Sequence, residues 1–264
     1  MNLIDTHAHV DEVKDIEGAI LRARRSGIRA IVGVGSDLAS NRKILGLAAR
    51  HPDFILPALG LHPWRLDRED IEASLGFLET NLPRCPALGE VGLDFAIATP
   101  RERQMDVFRR LLTLALQAGK PVLLHARRAW AEALEMLGTL GVPKAVFHWY
   151  SGPAEVLQRI LGRGYFISAT PAAEYSDRHR EAIKNAPLER ILLETDAPEE
   201  YRGKVSEPKD LARSLLAVSG LKWKPPEEVA AAIWNHSLKF FEIDEAKFAA
   251  DAGGASGGTA KERT

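Results

Sequence analysis

The residues Leu3-Ile4-Asp5-Thr6-His7-Ala8-His9 set a pattern that the chain then repeats: a short apolar run that ends in polar side chains able to bind metal. A stripe at helical spacing follows, Ile16, Ala19, Ile20 and Ala23, and then a second apolar run, Ala30–Val34. Further runs stand at Phe54–Leu59, Ala87–Leu88, Val122–Leu124, Ala145–Phe147, Phe166–Ile167 and Ile191–Leu193, which makes eight. They are rich in Val, Ile, Leu and Phe and scarcely alternate, as strands covered on both faces should. Helical stripes lie between them, among them Phe108, Leu111, Leu112, Ala115 and Leu116; Leu134, Leu137 and Leu140; and Leu211, Leu215 and Val218. Gly27 and Gly119 fall where a helix ends in a left-handed residue, and Pro100 and Pro153 fall at plausible first helical positions.

Strands alternating with helices imply a parallel sheet with right-handed crossovers, and eight strands is the number at which such a sheet closes. The chain therefore reads as α/β, a single-domain (β/α)8 TIM barrel over residues 1–248. The alternative is an open doubly wound sheet. No G-x-G-x-x-G follows the first strand, and Gly33-Val34-Gly35 is too short a match to count. Residues 249–264 are Ala/Gly-rich and end in Lys-Glu-Arg-Thr, which reads as a flexible tail.

A chain of 264 residues hides enough surface to fold without disulfide or zinc staples. Hydrophobic residues at 45% and charged residues at 27% exclude a disordered chain, a collagen and a coiled coil. The net charge of −1 excludes a protein that coats duplex DNA through a global positive field, so an anionic substrate must be gripped locally. The one cysteine, Cys85, cannot form an internal disulfide, and no signal peptide or apolar span is visible. The expectation is a soluble cytoplasmic protein with no membrane contact and no obligate protein partner.

In barrels of this kind the chemistry collects at the C-terminal ends of the strands. The runs lead there into His7 and His9, His62, Glu90 and Asp94, His125, His148, and Glu194-Thr195-Asp196. Five of the eight histidines thus land at one end of one sheet. His7 and His9 stand two apart on an extended segment, so both point the same way. Imidazole suits zinc, manganese or iron, and carboxylate suits magnesium and manganese. His7, His9, His125 and His148 with Glu90 and Asp196 are too many ligands for one tetrahedral ion and suit two ions sharing a carboxylate. Asp94 is placed to hydrogen-bond a ligand histidine from behind, or to cap a loop. Trp64, Trp149, Tyr150 and Tyr201 fall in strand-end loops, where they either stack on splayed bases or pack. His51, His179 and His236 read as structural, and Cys85 lies at the opposite end of the barrel.

Six blocks in order, Asp5-Thr-His7-Ala-His9, Gly-Leu-His62-Pro, Gly-Glu90-Val-Gly-Leu-Asp94, Pro-Val-Leu-Leu-His125-Ala-Arg127, His148-Trp-Tyr-Ser-Gly152 and Leu-Glu-Thr-Asp196-Ala-Pro, resemble the TatD family of metal-dependent deoxyribonucleases. The likeness runs from Asn2 to about Ile243, and Tyr201-Arg202-Gly203-Lys204 matches the loop after the last strand. It implies a two-metal centre: His7, His9, Glu90 and Asp196 on one ion, and the bridging Glu90 with His125 and His148 on the other. It further implies that Asp196 orients or deprotonates the attacking water and that His62, Arg127 and Arg202 reach the substrate phosphate. The implied activity is 3′→5′ exonuclease cleavage of single-stranded DNA with magnesium or manganese, zinc being a further candidate. Two departures stand out. Ser206 precedes Glu207-Pro208 where Asn is usual, and serine can serve there as a helix N-cap. The Trp149-Tyr150 pair adds a ring that is expected to open to the site mouth.

Two rivals remain at this level. Related metal-dependent barrels hydrolyse small-molecule esters, amides or lactones and commonly bridge their metals with a modified lysine, whereas strand four here ends in Glu90. A binding protein that kept the fold and lost turnover would lack a ligand, and all six are present.

Overall fold

The computed structural model describes residues 1–248. Eight parallel strands pair in chain order: β1 (Leu3–Ala8), β2 (Ile28–Val34), β3 (Ile55–Leu59), β4 (Ala87–Asp94), β5 (Val122–Arg127), β6 (Ala145–Phe147), β7 (Phe166–Ala169) and β8 (Ile191–Leu193). Helices α1 (Ile16–Arg25), α2 (Leu38–Arg50), α3 (Ile71–Asn81), α4 (Arg101–Ala118), α5 (Trp130–Leu140), α6 (Ala154–Gly162), α7 (Asp177–Asn185) and α8 (Leu211–Lys222) follow the strands in turn. A last helix, α9 (Pro226–Phe241), packs against β1 and β8. This is the single-domain TIM barrel that the sequence reading expects. The tail read at 249–264 lies outside the described residues.

The strands divide their side chains between two cores at a period of two. Leu3, Ile31, Ile55, Leu124, Phe147, Ile167 and Leu193 face the helices and join one buried cluster with them. Ile4, Val32, Leu56, Leu123, Val146 and Leu192 form the other, which holds no residue of α1 to α8 and is plugged by Trp234, Phe240 and Phe241 of α9. Truncating Phe240, which is fully buried, costs about 3–5 kcal/mol. Asp15, Asp37 and Asp70 start α1, α2 and α3 by accepting a backbone N–H of the first turn. Gly27 and Gly119 take positive φ as expected. Pro100 and Pro153 are extended caps, and α4 and α6 begin one residue later than the sequence reading places them. Nor does Ser206 cap a helix. Glu207 does so, in a reciprocal capping box with Asp210, while the Ser206 hydroxyl is buried without a hydrogen-bond partner. Among the described residues no helix is long and apolar enough to cross a membrane.

The first and last strands meet along a seam held largely by side chains. Thr195 donates its backbone N–H (2.9 Å) and its hydroxyl (2.5 Å) to the Asp5 carboxylate. The Thr6 hydroxyl donates to Leu193 O (2.9 Å), and the amides of Asp196 and His9 donate to His7 O (2.9 Å) and Ala197 O (2.7 Å). The same contacts that close the barrel therefore seat His7, His9 and Asp196 side by side.

Candidate active site

Each site residue is presented by a strand or by the first residues after it. Strand β1 carries His7 with His9 just beyond it, β4 carries Glu90 and Asp94, and β5 carries His125. His62 precedes a one-turn helix at Pro63–Arg65, His148 follows β6, and Asp196 follows β8. Glu90 can lie deep in the barrel mouth because Gly60 lets β4 approach. A methyl group on Gly60 would stand 2.3 Å from Glu90 O and 2.5 Å from Glu90 N. From the other side, the buried Asn41 clamps Gly60, donating to its carbonyl (2.7 Å) and accepting its N–H (3.0 Å).

Glu90 stands at the centre. Its Oε2 lies 3.4 Å from His7 Nε2 and 3.3 Å from His9 Nε2. Its Oε1 lies 3.2 Å from His125 Nδ1, 3.6 Å from His62 Nε2 and 3.9 Å from His148 Nε2. Asp196 closes the ring, with Oδ1 3.6 Å from Nε2 of both His7 and His9, and Oδ2 3.6 Å from His148 Nε2. The six residues expected as ligands thus converge, and His62 joins them. Asp196 sits at φ 54°, sparsely populated for a non-glycine residue and kept by the surrounding bonds.

Outer partners fix the imidazoles. Asp94 Oδ2 meets His125 Nε2 at 3.1 Å and accepts the Trp64 indole N–H at 2.6 Å. Gln104 holds the Asp94 backbone from below by accepting its N–H (2.8 Å) and donating to its carbonyl (2.9 Å). His62 Nδ1 accepts the Trp64 backbone N–H at 3.2 Å, so in its neutral form the ring carries its proton on Nε2, facing Glu90. Glu194 is a participant that the sequence reading left without a role. Its Oε1 meets His148 Nδ1 at 2.7 Å and accepts the Trp149 N–H at 3.1 Å. The signal was available, since Glu194 stands two positions before Asp196 just as His7 stands two before His9.

The electrostatics follow from this crowding. Burial works against charge on His9, but hydrogen bonding and attraction from Glu90 outweigh it and push the imidazole up to about 9. Burial likewise opposes charge on His148, and Glu194 and Asp196 overcome it, to about 10. Burial wins at His62, which falls to about 4 and is neutral at pH 7. Glu90 is held well below the ordinary carboxylate range, because the imidazoles around it, His62 and His7 first, outweigh its desolvation. Asp196 is raised, chiefly by burial.

Other expected residues fare differently. Arg127 ends β5 exposed at the rim, and exposed Arg202 lies over the Tyr175 ring at 4.4 Å, at the tip of a hairpin pairing Glu200–Tyr201 with Lys204–Val205. Of the four strand-end aromatics, Tyr150 and Tyr201 are fully buried packing residues, Trp149 is half-buried, and Trp64 is exposed. The added ring at 149–150 therefore opens only partly, through Trp149. His179 is buried, bonding Tyr150 O through Nδ1 (2.8 Å) and accepting the Thr170 N–H at Nε2 (3.2 Å). His51 pairs with Glu17 (3.1 Å), and Cys85 is buried at the base of β4.

The donor set suits metal ions. His7 is buried, yet neither of its ring nitrogens has a hydrogen-bond partner, and His9 Nδ1 has none. A buried polar atom without a partner is costly, and a cation between imidazole and carboxylate would satisfy it. Ligand atoms of His7, His9 and Asp196 lie within 4.8 Å of one another, as do those of His62, Glu90 and His125, and those of His7, His148 and Glu194.

Residues 4–242 match the family model described as TatD related DNase. The chain is 29% identical to human "Deoxyribonuclease TATDN3", the match covering 91% of this chain and 95% of that protein. A 193-residue stretch is 36% identical to the "3'-5' ssDNA/RNA exonuclease TatD" of Edwardsiella piscicida, covering 70% of this chain and 74% of that one. The crystal structure of the Escherichia coli TatD homologue YjjV superposes with a TM-score of 0.85 at 30% identity, covering 92% of this chain and 98% of that one. A barrel whose strand ends gather these imidazoles and carboxylates, matched along nearly its whole described length, places the chain in the family of TatD-related DNases.

Proposed function

We propose that the protein hydrolyses DNA phosphodiester bonds with two divalent ions, acting as a 3′→5′ exonuclease on single-stranded DNA. The observation that carries this reading is the division of one carboxylate: Glu90 turns Oε2 to His7 and His9, and Oε1 to His125. His7, His9, Asp196 and Glu90 Oε2 would hold one ion, and Glu90 Oε1, His125 and His148 the other. Two such ions would neutralise the phosphoryl oxygens and lower the pKa of the attacking water. They also let a near-neutral chain grip an anion locally.

The chain's own groups supply the rest. Asp196 is buried in the mouth and accepts the proton of the attacking water as the water oxygen bonds to phosphorus; the phosphorus–oxygen bond to the leaving group breaks, and the leaving oxygen takes up a proton from solvent. Neutral His62 offers an Nε2–H donor to a phosphoryl oxygen. Arg127 and Arg202, at the rim, reach the flanking phosphates. Asp94 and Glu194 hold His125 and His148 in their orientations. The relatives lend weight, one being named for 3′→5′ action on single-stranded DNA and RNA.

The test is metal-stripped protein with a 5′-end-labelled single-stranded oligonucleotide, to which magnesium, manganese or zinc is returned, with Glu90→Ala as control. The expected result is a ladder that shortens from the 3′ end with at least one ion and disappears in the variant. No cleavage with any ion, in protein that still takes up two metals, would overturn the reading and favour a small-molecule ester, amide or lactone.

A further inference from the structure

Trp64 is 55% exposed, yet it is not loose. Its indole N–H is fixed to Asp94 Oδ2 at 2.6 Å, the carboxylate oxygen that also meets His125. Its ring stands edge-on to His62, with centroids 4.9 Å apart at 85°, and to His125, 5.8 Å apart at 73°. The one-turn helix beneath is anchored by buried Pro63 and Leu66, and Arg103 donates to Leu66 O at 2.6 Å. A large apolar side chain is normally covered, and one that is both uncovered and immobilised is already ordered for a partner. Among the described residues the other exposed large apolar side chains are Met1, Leu21, Val205, Leu216 and Trp223, of which Trp223 alone carries a ring.

We propose that Trp64 is the stacking platform for the nucleobase next to the scissile phosphate, and that it gives the enzyme its preference for unpaired strands. This rests on the nuclease reading above. A planar indole matches the π-face that every base presents, so the contact tolerates any sequence. A base inside a duplex is already stacked and paired and cannot reach the ring, whereas a splayed base can. The platform is tied through one hydrogen bond to the carboxylate that holds His125, so base and phosphate are set by the same element.

The test separates the ring face from its N–H. Metal-loaded wild-type, Trp64→Ala and Trp64→Phe proteins are assayed on an oligonucleotide and on the same strand with base-free tetrahydrofuran residues flanking the target phosphate. The expected result is that Trp64→Ala lowers kcat/KM on the normal strand by roughly 10- to 100-fold, mostly through KM. It should match wild type on the base-free strand, and Trp64→Phe should retain most of the normal activity. Equal losses on both strands, or Trp64→Phe as damaged as Trp64→Ala with the loss in kcat, would overturn the proposal and leave Trp64 as a support for Asp94. If wild type cuts neither strand, the nuclease reading fails by itself. Binding then decides the platform: oligo(dT) should quench the intrinsic fluorescence of wild type more than that of Trp64→Phe, and equal quenching would reject it.

Discussion

Replacing Gly60 by alanine tests whether the depth of Glu90 governs activity. The added methyl would stand 2.3 Å from Glu90 O and 2.5 Å from both Glu90 N and Gly89 C, all backbone atoms. Comfortable carbon contacts lie at about 3.5–4.0 Å, so one strand end must give by roughly 1 Å. Gly60 cannot retreat, because Asn41 bonds both its carbonyl and its amide. Glu90 therefore moves, and with it the carboxylate that faces both groups of imidazoles. Overpacking of this kind costs about 1–3 kcal/mol of stability, which a barrel of this size survives. A misplacement of about 1 Å at a reacting centre can cost about 100-fold in rate. The assay pairs kcat/KM on a single-stranded oligonucleotide with urea unfolding, and Gly46→Ala serves as control. Gly46 lies in α2 with open space around it, so alanine there should leave activity intact and add up to about 1 kcal/mol of stability. A folded Gly60→Ala protein with activity within twofold of wild type would refute the reasoning.

Three further outcomes are expected. Asp94→Ala removes the partner of His125 Nε2 and should weaken metal binding about 10- to 100-fold by calorimetry, so unchanged affinity would count against the orienting role. Burial lowers His179 from 6.5 to about 4. Above pH 6.5 it is neutral folded or unfolded, but between 6.5 and 4 the unfolded chain takes up a proton that the folded chain refuses, so about 3 kcal/mol is lost as the pH falls. His179→Gln should lose that slope in urea melts, and an identical slope in both proteins would show that other groups titrate. Metal at 100 times its dissociation constant should stabilise the protein by about 2.7 kcal/mol, read as a rise in Tm. His9→Ala should blunt the rise, and an undiminished shift would place the ion elsewhere.

The eight strands were legible because each is apolar towards both the helices and the barrel interior, leaving unbroken runs such as Val122–Leu124. The ligand-type residues were legible because they follow those runs directly. What depends on contacts between distant segments was not. Nothing near Trp64 in the sequence announces a hydrogen bond to Asp94, thirty positions away. Tyr150 and Tyr201 occupy strand-end loops as Trp64 does, yet their rings turn into the core, with hydroxyls bonded to Pro153 O and Thr195 O. Helix α3 is not marked in the sequence because its start is set by Asp70, a single aspartate that resembles any other polar residue until the backbone turns. Ser206 misled for the complementary reason: a good capping residue was in place, and the neighbouring Glu207 took the role.

The seam between the first and last strands also has a consequence in time. The Asp5 carboxylate and the Thr195 amide that it accepts are 190 positions apart. At about 5–20 residues per second, a ribosome needs roughly 10–40 s to travel from one to the other. Throughout that interval the nascent chain carries His7 and His9 but has no Asp196 to set beside them. The two imidazoles and the aspartate that faces them at 3.6 Å therefore come together only after the last strand has been made.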